Sequence, residues 1–240
     1  MKGLVKAINK YLVADSRRED FVKRELMKLK NNCKILDVGA GEQRYKKYCM
    51  HLDYTSQDFC QYTGMGNGSG LQNEKWDVSK IDIVSDIINI PVESHSFDAI
   101  LCTEVFEHIP DPISALKEFS RILKPGGILI LSAPFCSLTH MAPYHYYSGL
   151  NRYWYEYFMP KNNFEIVTIE SNGNFFEYIM QESFRCNSVY REYFGKPLSI
   201  LWLGICYLFG RKMHKISNNN NKSDELLCFG YHVVAKRNDN

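Results

Sequence analysis

From Cys33 to about Ile169 the chain alternates short apolar runs with segments whose apolar residues recur at helical spacing. This alternation constrains the fold more than any other feature. A strand that is apolar throughout has no face for water and must be covered on both sides, and intervening helices are what cover it. The strand-like runs are Lys34–Val38, Tyr54–Asp58, Ile81–Ser85, Phe97–Cys102, Ile128–Ser132 and Phe164–Ile169. Ahead of them, Asp15-Ser16 reads as a helix N-cap, with Phe21, Val22, Leu26 and Leu29 at helical spacing behind it. Asp111-Pro112 opens another helix with Ile113, Leu116, Phe119 and Leu123 on one face, and Lys124-Pro125-Gly126-Gly127 closes it. The pattern predicts an α/β fold with a parallel sheet covered on both faces.

Such sheets bind ligands at the carboxyl ends of their strands, near the point where strand order reverses. Polar groups stand at four predicted strand ends: Asp37 with Gly39, Asp58, Asp86, and Thr103 with Glu104. In Leu36-Asp37-Val38-Gly39-Ala40-Gly41-Glu42-Gln43 the two glycines leave the backbone bare where a strand is expected to turn sharply into a helix, so a ligand can approach the main chain. A dinucleotide loop has the form G-x-G-x-x-G, but Arg44 holds the third position here. Asp37 adds a negative charge, which suits a ligand carrying an ammonium and a sulfonium better than a pyrophosphate. Asp58, 17 residues after Gly41, is placed to accept hydrogen bonds from ribose hydroxyls. Asp86-Ile87 offers a carboxylate and a backbone N–H to an adenine edge. A helix cap or a solvated loop aspartate is the plain alternative for both.

In this order and spacing, Ile35-Leu36-Asp37-Val38-Gly39-Ala40-Gly41, Asn89 to Ile100, Thr103-Glu104-Val105-Phe106-Glu107-His108-Ile109 and Leu123-Lys124-Pro125-Gly126-Gly127 resemble the class I, Rossmann-like S-adenosylmethionine-dependent methyltransferases. The resemblance covers roughly residues 30–135. It implies a seven-stranded, mostly parallel sheet with helices on both faces, an antiparallel last strand and a helical insertion before it. It also implies S-adenosyl-L-methionine as cofactor. Asp37, Gly39, Ala40 and Gly41 would hold its methionine part, Asp58 its ribose, and Asp86 and Ile87 its adenine, while Cys102 and Thr103 would lend backbone atoms. Gln43-Arg44 departs from the small residues common at that place, and Gly64–Gly70 looks like an insertion whose role is open.

Methyl transfer from a sulfonium is an in-line displacement, so a base that deprotonates the acceptor is the remaining requirement. Glu107-His108 is one candidate. The other is Thr139 to Tyr147, with His140, His145 and three tyrosines after the fifth strand. His145, His108 and Tyr144 are the expected catalytic residues. His140 and His145, five apart with no cysteine or carboxylate between them, make a poor metal pattern, so no metal is expected. A structural aromatic loop is the plain alternative.

After Ile169 the chain reads as aromatic-rich helices over about 175–223, then a final strand over about 227–236, all within one methyltransferase domain spanning 1–240. Leu198–Phe209 is the longest apolar run, and at 12 residues it is too short to span a bilayer, with Lys196, Arg211, Lys212 and Lys215 around it. It reads either as a lid helix or as a helix lying on a membrane surface, which would suit a lipid-linked glycan acceptor. Met1–Val5 opens no apolar leader, so a cytoplasmic protein is expected, membrane-associated on the second reading. Eight cysteines without a CxxC pair read as reduced and structural. A net charge of +2 argues neither for nor against nucleic acid, but the lack of a basic stripe and of an Asn/Asp-Pro-Pro-Tyr/Phe/Trp tetrapeptide argues against it. The expected activity is methylation of an O or N atom of a small molecule, sugar or glycan intermediate. A nicotinamide-dependent oxidoreductase and a catalytically silent S-adenosylmethionine-binding module are the competing readings.

Overall fold

The computed structural model describes residues 14–72, 75–219 and 222–239. The reading of Met1–Val5 lies outside them. The described residues fall into two compact units, 18–170 with 230–239, and 14–17 with 171–229.

One sheet has seven strands: β1 (Lys34–Val38), β2 (Asp53–Asp58), β3 (Ile83–Val84), β4 (Phe97–Thr103), β5 (Leu123–Pro134), β6 (Phe164–Asn172) and β7 (Gly230–Arg237). Their spatial order is β3-β2-β1-β4-β5-β7-β6. β1 pairs in parallel with β2 on one side and β4 on the other, so the strand order reverses beside β1. β7 runs antiparallel to β5, with Leu131 opposite Val233. This is the mostly parallel Rossmann-like sheet with an antiparallel last strand.

Alternation along the strands divides the core. Ile35, Ala99, Leu101, Ile130 and Val234 form one cluster with Phe21, Val22 and Leu26 of helix α1 (Ala14–Leu26). Leu36, Ile100, Leu129 and Leu131 alternate with them and are also fully buried, as a strand covered on both faces requires. Helix α2 (Pro112–Ile122) packs against β5; Asp111 caps it by accepting from Ser114 N–H at 3.0 Å, with Pro112 in its first turn. Helix α3 (Arg152–Lys161) precedes β6.

The structure departs from the sequence pattern at four places. α1 already includes Ala14, so Asp15 lies inside its first turn. β3 has two residues rather than five, because the Asp82 carboxylate accepts Ser56 N–H at 2.8 Å and takes a donor that the strand ladder would use. β5 starts at Leu123, pairing with Phe97 ahead of a register shift, so Lys124-Pro125-Gly126-Gly127 is strand rather than helix end. No α-helix follows the glycine loop: Gln43 is left-handed at φ +57° and breaks the helical run, leaving turns and one 3₁₀ turn at Lys46–Tyr48.

In the second unit, helix α4 (Phe175–Phe194) is capped by the Asn174 side chain and ends at Gly195 in the left-handed conformation. Helix α5 (Ile200–Asn218) packs Cys206, Tyr207 and Met213 against Met180 and Phe184 of α4. Gly210 makes the close approach: a Cβ there would lie 2.3 Å from the Phe184 ring. The other side of α5 leaves Ile200, Leu201, Trp202, Ile205, Leu208 and Phe209 exposed. Among the described residues no helix is long and apolar enough to cross a membrane.

Candidate active site

A cavity of about 420 Å³ opens at the carboxyl ends of β1, β2 and β4, beside the reversal point, a size typical of small-molecule sites. Gly39 enters it from the turn after β1, Asp58 from the end of β2, Asp86 and Ile87 from beyond β3, and Glu104 and Val105 from beyond β4. Trp76, Met141 and Tyr144 close it from the loops. Its charged lining is one-sided. Asp58, Asp86 and Glu104 contribute carboxylates, and no described lining residue is a lysine or arginine.

The glycine loop is shaped for close approach. Gly39 holds φ +68°, and a Cβ there would come within 2.4 Å of Val105 Cγ2. Asp58 is buried and fixed by two main-chain donors, Gly41 N–H to Oδ2 at 2.9 Å and Cys60 N–H to Oδ1 at 2.8 Å. Each oxygen keeps a further lone pair, so the carboxylate can still accept from a pair of ligand hydroxyls. Asp86 Oδ1 accepts Ile88 N–H at 3.1 Å.

Other residues singled out in the sequence lie behind this surface. Asp37, Ala40, Gly41, Cys102, Thr103 and His145 are not among the residues that line the cavity. The Asp37 carboxylate accepts from Tyr54 Oη at 2.7 Å, and its burial, more than the nearby Asp58 charge, raises its pKa to about 7. Ala40 N–H donates to the Gln57 carbonyl at 3.0 Å, tying the loop to β2. Cys102 is fully buried, and desolvation pushes its thiol far above the ordinary range, so it is a core residue.

Toward the loop after β5, His108 and Tyr144 line the cavity. Three imidazoles gather there, with ring centroids 4.6 Å apart for His108–His140, 4.8 Å for His140–His145 and 5.9 Å for His108–His145. His108 is held neutral: burial, with a smaller contribution from the neighbouring histidines, lowers its pKa to about 4. His145 instead contacts Ser137 Oγ at 3.2 Å.

Gly64–Gly70, of unknown role in the sequence, straps this loop. Asn67 N–H donates to the Ala142 carbonyl at 2.9 Å, Leu71 N–H to Thr139 at 3.0 Å, and Met141 N–H to Leu71 at 2.9 Å. Only glycine permits this approach, because a Cβ at Gly66 would lie 1.9 Å from Ala142 O and one at Gly70 would lie 2.6 Å from Thr139 O. Trp76 and Met141 were not foreseeable, since no periodicity marks a loop residue that folds over a site. Glu104 had a signal, its place at a strand end. It adopts φ +53°, accepts from Ser132 Oγ at 2.8 Å and pairs with Arg18 at 2.8 Å.

Residues 36–131 match the family model described as a methyltransferase domain. A ubiquinone biosynthesis O-methyltransferase of Xanthomonas oryzae is 31% identical over 102 residues, 41% of this chain and 42% of that protein. A demethylmenaquinone methyltransferase of Staphylococcus haemolyticus is 28% identical over 141 residues, 56% of this chain and 55% of that one. The matched stretches thus span about half the length of these relatives. The phosphoethanolamine N-methyltransferase 2 of Haemonchus contortus, solved with S-adenosyl-L-methionine, shares the fold with a TM-score of 0.53 at 17% identity, over 94% of this chain and 53% of that one. Residues 36–131 thus carry a methyltransferase domain, set in a mostly parallel seven-stranded sheet of the kind found in S-adenosylmethionine-dependent methyltransferases.

Proposed function

We propose that the protein transfers the methyl group of S-adenosylmethionine to an oxygen or nitrogen atom of a small molecule, sugar or glycan intermediate, with a hydroxyl as the favoured acceptor. The charge of the cavity carries the reading: Asp58 and Asp86, with no lining cation and with Glu104 already paired to Arg18, suit a sulfonium and an ammonium, and would repel a pyrophosphate. This observation also disfavours a nicotinamide dinucleotide. When bound, the cofactor supplies an activated methyl group. The chain's own residues then have two tasks. Asp58 holds the ribose, and Asp86 with Ile87 flanks the adenine, fixing the donor. His108 from the turn after β4, with Tyr144 and His145 from the loop after β5, orients the acceptor and takes its proton. Alignment of this kind can remove about 7–11 kcal/mol from a bimolecular barrier.

The relatives whose names concern ubiquinone and menaquinone support a small acceptor associated with lipid. The exposed apolar side of α5, followed by Arg211, Lys212 and Lys215, supports contact with an anionic lipid surface. Incubation with a methyl-labelled donor and separated lipid and aqueous cell extracts tests the activity. The expected product is a single labelled species in the lipid fraction. Tight binding of S-adenosylhomocysteine with no labelled product in either fraction would instead support a silent binding module.

A further inference from the structure

The geometry points to a divalent transition-metal site on the acceptor side of the cavity, built by Glu107, His108 and His140. One nitrogen from each imidazole and a carboxylate oxygen of Glu107 lie within 4.8 Å of one another. The hydrogen bonds fix which nitrogens are free to ligate. His108 Nδ1 faces the Tyr144 carbonyl at 2.5 Å, and His140 Nδ1 faces the Leu138 carbonyl at 2.8 Å. A carbonyl only accepts, so both Nδ1 atoms carry hydrogen and both Nε2 atoms present bare lone pairs. Metal-ligating histidines are oriented in the same way, the distal nitrogen donating to a backbone carbonyl.

Glu107 supplies an independent observation. It is 1% exposed, and its Oε2 has no hydrogen-bond partner. Its Oε1 stands 3.6 Å from His108 Nε2, too far for a hydrogen bond. Two ligands bound at about 2.1 Å to a tetrahedral ion lie roughly 3.4 Å apart, so that spacing fits two groups flanking a cation. Three groups able to ligate therefore converge in a half-buried place, and no hydrogen bond joins Glu107 to His108.

Two imidazoles and one carboxylate suit zinc, or cobalt, manganese and iron in their divalent states, and leave a coordination position open. His108 also lines the donor cavity, which puts that position beside the methyl group's path. This role rests on the proposed methyl transfer, whereas the binding of metal does not. An acceptor hydroxyl at the open position loses its proton more readily, as metal-bound water does. Its O–H bond breaks, the proton passes to His145 or solvent, and the oxygen's electron pair forms the new bond to the methyl carbon. The S–C electron pair returns to sulfur, leaving a neutral thioether.

The test is titration of chelator-treated protein with Co²⁺ and Zn²⁺, followed by visible absorption, calorimetry and metal analysis. One ion per chain is expected, with the absorption bands of a tetrahedral or five-coordinate Co²⁺ centre. His140→Ala changes a partly exposed loop residue and should weaken binding at least tenfold without changing the melting temperature of the metal-free protein. Glu107→Gln should do the same. No saturable binding, or equal binding by wild type and His140→Ala, would overturn the site. A separate S-adenosylhomocysteine titration keeps the two proposals apart. Metal binding without cofactor binding would contradict the methyltransferase reading alone, and cofactor binding without metal the present one alone.

Discussion

At the scale of single residues, the site depends on carboxylates placed in environments that differ sharply. Asp58 is buried but satisfied by two backbone donors, whereas Asp37 is buried with a single phenol donor and is pushed up to about 7. Asp37 therefore has a stability consequence. Its folded pKa exceeds the ordinary 3.8, so the folded state binds the proton more tightly than the unfolded chain does. That contribution is fully present below about pH 4 and is lost as pH rises through about 7. Asp37→Asn removes the ionisation and keeps an oxygen for Tyr54. The variant should match the wild type near pH 3.5 and exceed its stability at pH 8, by up to ~4 kcal/mol. Denaturant melts at the two pH values measure this; a constant difference between wild type and variant would show that Asp37 does not titrate in this window.

At the scale of elements, the glycine-rich segment before residue 72 works as a strap that holds the histidine loop by main-chain hydrogen bonds. Gly66→Val puts a side chain where Ala142 O stands and adds strain at φ +47°. The sheet should persist with little loss in melting temperature, while turnover falls at least tenfold and affinity for S-adenosylhomocysteine changes less than twofold. Equal loss of turnover and cofactor affinity would show that the strap shapes the donor side as well. The exposed side of α5 yields a second expectation. Ile205→Glu with Leu208→Glu should abolish co-flotation with anionic vesicles and leave flotation with neutral vesicles at its low level. Unchanged flotation would leave that face without a lipid role.

Legibility at this scale followed physical cause. β1, β4 and β5 were readable because their buried stretches are largely apolar runs, and α2 because Asp111-Pro112 is a cap with a mechanism. β3 was overcalled because side-chain capture of Ser56 by Asp82 leaves no mark on periodicity. The missing helix after Gly41 turns on one left-handed residue, Gln43, whose conformation its identity does not dictate. The cavity's carboxylates stood at readable strand ends. The strap, Trp76 and the meeting of Glu107 with His140 are long-range loop contacts, which no local pattern encodes.

At the scale of the whole molecule, the fold alone does not specify a reaction, since one α/β scaffold carries many chemistries. The methyltransferase domain at residues 36–131 points to the donor, and the charge of the cavity agrees with it. The acceptor is the part left to the loop around His108 and Tyr144. The central claim is therefore that the cavity binds the methyl donor through Asp58 and its neighbours. Calorimetric titration with S-adenosylhomocysteine, set against a nicotinamide dinucleotide, tests it most directly. The account predicts saturable one-to-one binding of S-adenosylhomocysteine, none of the dinucleotide, and a loss of about 1.5–3 kcal/mol in Asp58→Ala. Binding of the dinucleotide in its place, or an affinity for S-adenosylhomocysteine untouched by Asp58→Ala, would contradict it.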